Sequence, residues 1–199
     1  MENMIKDVKE LAVWPEIPKD VFEGYKNKGD STMDIFIAIM DFPSFYEKDG
    51  VSRDAYDYNK LCNSQKALLA FDCLYLYIVL FDFDYCTYFE TVIIHCKRIF
   101  NPFILDCFRL WGAEKSAAFL EEGIILYDTY KDEMERLKEH TRLESSGTYQ
   151  MIKEEFGILG EKIPKFFTQG FSFNDDSEEN KLIEQYVENN PSKFVKIIG

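Results

Sequence analysis

The longest apolar run of the chain, Ala67 to Phe81, is interrupted by Asp72 and is otherwise near-continuous through Leu68, Leu69, Phe71, Leu74, Leu76, Ile78 and Val79. A helix this apolar is buried on most sides, and the run is shorter than the roughly 18–20 residues of a membrane span. It predicts a core helix opened by Ser64. Helix punctuation recurs on either side. Thr87-Tyr88-Phe89-Glu90 has the form of a capping box and predicts a helix over Tyr88–Ile99. Asn101-Pro102 places a cap residue before a proline suited to the first helical position, and Gly112 follows the far end, which brackets a helix at Pro102–Trp111. Asp176-Ser177-Glu178-Glu179 again offers a cap with a carboxylate three residues on, ahead of Leu182, Ile183, Tyr186 and Val187. Asn190-Pro191 ends that last helix.

Strand signals are weak throughout, so the class expected is all-α: a single-domain helical bundle with an irregular N-terminal wrap. Trp14-Pro15, Pro18, Gly24, Gly29 and Pro43 cut the first fifty residues into short pieces, and only Thr32 to Phe42 reads as a helix there. Residues 1–60 are accordingly an irregular segment packed on a helical body formed by 61–199. Glu47 to Gly50 is a turn and Arg142 to Thr148 a loop, and neither is a linker between separate domains.

The segment from Ala113 to His140 predicts a long amphipathic helix. Turning successive residues by about 100° puts Phe119, Leu126, Tyr127, Tyr130, Met134 and Leu137 on one face. Glu114, Glu121, Asp128, Asp132, Glu135 and Glu139 fall opposite them, within an arc of about 60°. At about 1.5 Å rise per residue, the last five carboxylates are on the order of 5–10 Å apart. A plain solvated face would produce the same stripe, with Lys131, Arg136 and Lys138 flanking and partly neutralising it. Two local penalties argue for selection on something else. Asp128/Asp132 and Glu135/Glu139 are like-charge pairs four residues apart, and the stripe ends in carboxylates near the helix C-terminus, where the macrodipole favours cations.

Composition sharpens this picture. The chain has 199 residues, 46% hydrophobic and 16% aromatic, which is ample for a packed core and excludes disorder as the default. With 36 acidic against 23 basic residues its formal charge is −13, so the field repels polyanions and phosphate-neutralising nucleic-acid binding is excluded. The charge avoids the middle of the chain, where 61–111 carries four basic and five acidic residues. A second acidic cluster, Asp175, Asp176, Glu178 and Glu179, opens the last helix, where carboxylates also serve as caps and dipole partners. Met1 to Glu10 is charged throughout and has no apolar core of a signal peptide, so the expected compartment is the cytosol. Cys62, Cys73, Cys86, Cys96 and Cys107 are odd in number and widely separated, and read as reduced, buried thiols.

No catalytic motif stands out. Asp72, Asp82, Asp84, Glu90 and His95 lie near one another in apolar surroundings, but His95 has no ligand partner at helical spacing. No metal or cofactor is expected. His95 and His140 have no nucleophile motif beside them, and Gly157 and Gly160 read as helix termination rather than a phosphate cradle.

Leu61-Cys62-Asn63-Ser64-Gln65-Lys66-Ala67-Leu68-Leu69-Ala70 leads into the core helix, and Phe108-Arg109-Leu110-Trp111-Gly112-Ala113-Glu114-Lys115-Ser116-Ala117-Ala118 precedes the acidic one. With Tyr186, Asn190 and Phe194 near the end, this order resembles the family of bacterial DNA-mimic proteins, in which a Gly-Ala-x-Lys type of turn opens an acidic helix. Where that family carries a polar Asn-Gly-Gly-Phe segment, this chain reads Tyr77-Ile78-Val79-Leu80-Phe81-Asp82-Phe83-Asp84-Tyr85, as a divergent branch would. The resemblance implies a helical, homodimeric, non-enzymatic protein. Its surface carboxylates would imitate DNA phosphates and occupy the DNA-binding surface of a basic partner such as a transcription factor. An immunity-type inhibitor of a basic nuclease toxin is a related alternative. An enzyme or small-ligand binder using the Asp82–His95 region is the alternative from another class.

Overall fold

The computed structural model describes residues 14–41, 60–75, 98–140, 157–168 and 178–199, with every side chain in them except those at 41, 137–140, 164 and 168. The protein is predominantly α-helical. In chain order the described elements are β1 (Glu16–Pro18), α1 (Lys19–Lys26), α2 (Thr32–Asp41), α3 (63–75), α4 (Pro102–Leu110), α5 (Glu114–His140), α6 (Leu159–Thr168), α7 (Glu178–Asn189), a 3₁₀ turn at Pro191–Lys193, and β2 (Lys196–Ile198). Of the helix expected over 88–99, only Arg98 and Ile99 lie among the described residues, and both are helical.

Local chemistry accounts for most of the boundaries. The Asn101 side chain accepts from Phe103 N at 3.4 Å to start α4, with Pro102 in the first turn. At the other end Gly112 N donates to Arg109 O at 3.1 Å and Ala113 N to Phe108 O at 3.0 Å, the paired bonds of a Schellman motif. That motif needs a left-handed residue after the cap, and Gly112 has φ 81°. Trp111 is the C-cap rather than the last helical residue. α3 opens two residues earlier than Ser64 suggested. The carbonyl of Cys62 accepts from Lys66 N at 3.0 Å, while Gln65 Oε1 reaches back to accept from Cys62 N at 2.8 Å, the second half of a capping box. Ser31 caps α2 by accepting from Asp34 N at 3.1 Å. Gly160 lies inside α6 rather than at a helix end, and Gly157, φ 52°, sits in the turn before it.

The N-terminal wrap holds more regular structure than its prolines and glycines predicted. α1 follows directly on Pro18, which supplies the extended residue before the helix, and its Val21, Phe22 and Tyr25 pack against the core. β1 pairs in parallel with β2, in the register Glu16 with Lys196, Ile17 with Ile197 and Pro18 with Ile198. Ile17 is buried, Lys196 N donates to Pro15 O at 2.8 Å, and Lys196 Nζ meets Glu16 Oε1 at 2.6 Å. α2 lies against α7, and Lys26 of α1 reaches Glu188 of α7 at 3.5 Å.

A line of ring contacts runs through the core. Phe22 stacks on Phe36 and Phe36 on Phe194, with centroids 6.0 and 6.3 Å apart. Phe194 lies 6.1 Å from Trp111, which lies 5.7 Å from Phe108, and Phe108 meets Phe71 edge-on at 5.9 Å. α1, α2, the C-terminal turn, α4 and α3 are joined by this one sequence of contacts, each adding about 0.5–1.5 kcal/mol beyond its area burial. Trp111 Nε1 is buried with no hydrogen-bond partner among the described residues, so the indole is held there by its ring contacts. Gln65, fully buried, adds a polar stitch by donating from Nε2 to Phe194 O at 2.6 Å. Among the described cysteines Cys107 is buried, whereas Cys62 and Cys73 are half-buried, and Cys62 Sγ donates to Lys193 O at 3.5 Å.

Candidate functional site

The acidic helix α5 begins at a position with no capping side chain of its own. Ala113 stands at its N-cap and accepts from Ala117 N at 2.9 Å, so the N–H groups of Lys115 and Ser116 need an acceptor from elsewhere. Glu179, in the first turn of α7, supplies it. Its Oε1 accepts from Lys115 N at 2.9 Å, and its Oε2 accepts from Ser116 N at 2.8 Å and from Ser116 Oγ at 2.7 Å. Glu179 is only 5% exposed. This corrects its expected place in a surface cluster, because all its acceptor capacity is turned inward as a cap contributed by another helix. Glu179 shares the buried side of α7 with Ile183 and Val187, four and eight residues on, whereas Leu182 of the same apolar run is 37% exposed. The helical spacing of Glu179, Ile183 and Val187 was the available signal.

Beyond its cap, α5 packs most deeply through its N-terminal half, where Ala117, Phe119 and Leu120 are buried. Gly123 fits against the Phe100 ring: a Cβ built there would stand 2.4 Å from Phe100 Cε1 and 3.0 Å from Phe166 Cζ. Phe119 stacks on Phe166 at 4.3 Å, fixing the helix on α6. Farther along, Met134 is fully buried, while Leu126, Tyr127 and Tyr130 are half-buried against the core. The side chain of Leu137 lies outside the described ones.

The opposite face is solvent-exposed. Glu114, Glu121, Asp128, Asp132 and Glu135 are all exposed, and Glu139 falls on the same face by its backbone position, its side chain lying outside the described ones. Three features qualify a pure carboxylate row. Arg109 at the end of α4 reaches Glu121 at 3.1 Å, an exposed pair. Arg136 pairs with Glu133 at 2.6 Å, and this hydrogen bond and the adjacent charge raise the guanidinium pKa further above its ordinary value. Ile125 is 63% exposed beside the acidic arc, four residues after Glu121 and three before Asp128, a position the carboxylate pattern alone did not draw out although the same 100° arithmetic places it about 20° past the edge formed by Glu114 and Asp132.

Of the second acidic cluster, the two described members face different sides of α7. Glu178 is exposed, Glu179 is internal, and Asp175 and Asp176 lie outside the described residues. Of the alternative carboxylate–histidine region, Asp72 is half-buried on α3, while Asp82, Asp84, Glu90 and His95 lie outside the described residues. Among the described residues no three His, Cys, Asp or Glu side chains are grouped to hold a metal ion. No described helix is long and apolar enough to cross a membrane. Comparisons with protein-family models, with curated proteins and with solved structures find no match.

Proposed function

We propose that the chain is a non-enzymatic, acidic interaction protein that lays the outer face of α5 on the DNA-binding surface of a basic partner, such as a transcription factor, in place of a run of phosphates. The observation that carries this reading is the exposure of Glu114, Glu121, Asp128, Asp132 and Glu135 along one face of a 27-residue helix. At 1.5 Å per residue such a helix is about 40 Å long, enough to follow about one turn of duplex DNA. The exposed carboxylates set up a negative field along this face, which favours rapid, electrostatically steered encounter with a basic surface. The like-charge neighbours Asp128 and Asp132, four residues apart, cost helix stability. The resemblance of the Gly112-Ala113-Glu114-Lys115 turn to that of DNA-mimic proteins points the same way.

The test is capture of DNA-binding proteins by the immobilised chain at about 0.1 M salt, compared with the triple variant Asp128→Lys, Asp132→Lys, Glu135→Lys. The bound protein is expected to be absent from the variant, and to leave the parent chain on addition of duplex DNA or at about 1 M salt, where screening shortens to about 3 Å. Retention by the variant, or a bound protein indifferent to both salt and DNA, refutes the proposal.

A further inference from the structure

We draw no further inference here: the strongest candidate, the solvent-facing edge of β2 with its exposed Ile197 and Ile198, is an apolar strand edge and nothing in the structure shows what covers it.

Discussion

Replacing Glu179 by alanine should destabilise the fold far more than the same change one residue earlier. The substitution removes the acceptor of three hydrogen bonds at the start of α5. Ser116 is fully buried, so its N–H and hydroxyl lose their partner where water does not readily replace it, at about 1–3 kcal/mol each. The Lys115 N–H hydrogen bond is only part-buried, so losing it costs less. Loss of a negative charge at the helix N-terminus adds about 0.3–1 kcal/mol. These terms share one site and are not additive, so the expected loss is about 2–5 kcal/mol. Glu178→Ala, on an exposed neighbour, should stay within about 0.5 kcal/mol of the parent. Urea unfolding reads both from the midpoint at a fixed slope. Native-state hydrogen exchange adds a local readout, because the Lys115 and Ser116 amides should lose protection in Glu179→Ala while amides near Met134 follow global stability. Combining Glu179→Ala with Ser116→Ala should cost less than the sum of the single changes, since the serine hydroxyl then has no partner to lose. Equal stabilities for Glu179→Ala and Glu178→Ala, or an unchanged Ser116 amide, would refute the assignment of Glu179 as the cap of α5.

Gly123→Ala should destabilise despite improving helix propensity by about 1 kcal/mol, because Phe100 is held between Phe166 and Phe167 and the overpacking costs about 1–3 kcal/mol; a thermal midpoint at or above that of the parent would contradict this. Gly112→Ala meets open space, so its expected cost of about 1–2 kcal/mol is backbone strain at φ 81° alone, and Gly112→Asn should lose less in the same unfolding assay. Gln65→Ala removes the link from α3 to the Phe194 carbonyl and leaves a cavity, for about 2–4 kcal/mol by urea unfolding. A loss under about 0.5 kcal/mol would mean that the buried amide is not needed.

Much of the helical framework was legible because its signals act over a few residues. Asn101-Pro102 and Gly112 bracket α4 through bonds that span at most five positions, and any neighbourhood that tolerates a helix there lets them form. The exposed arc of α5 was legible for the same reason: helical geometry alone puts Glu114, Glu121, Asp128, Asp132 and Glu135 on one side, and charged groups do not enter a core without partners. Cys62 as the cap of α3 was partly legible, since Gln65 stands at the third helical position, but Ser64 offered the more familiar cap residue and drew the boundary inward.

Contacts between distant segments decided the rest. β1 and β2 are three residues each and lack the strand pattern that a longer element would show; they exist because the chain brings Glu16 beside Lys196. Glu179 belongs by composition to an acidic surface, and by tertiary structure to the interior, because the uncapped start of α5 offers two N–H groups and a hydroxyl within reach. Gly123 is a poor helix residue until Phe100 occupies the space its side chain would need. The sequence by itself determined helix class, most helix ends and the outward side of the acidic helix, since these follow from dihedral preference, local hydrogen bonding and the cost of burying charge. Which polar groups went inside was decided only in the tertiary structure, because a buried carboxylate or amide is stable only beside the particular donors and acceptors that a distant part of the chain brings to it.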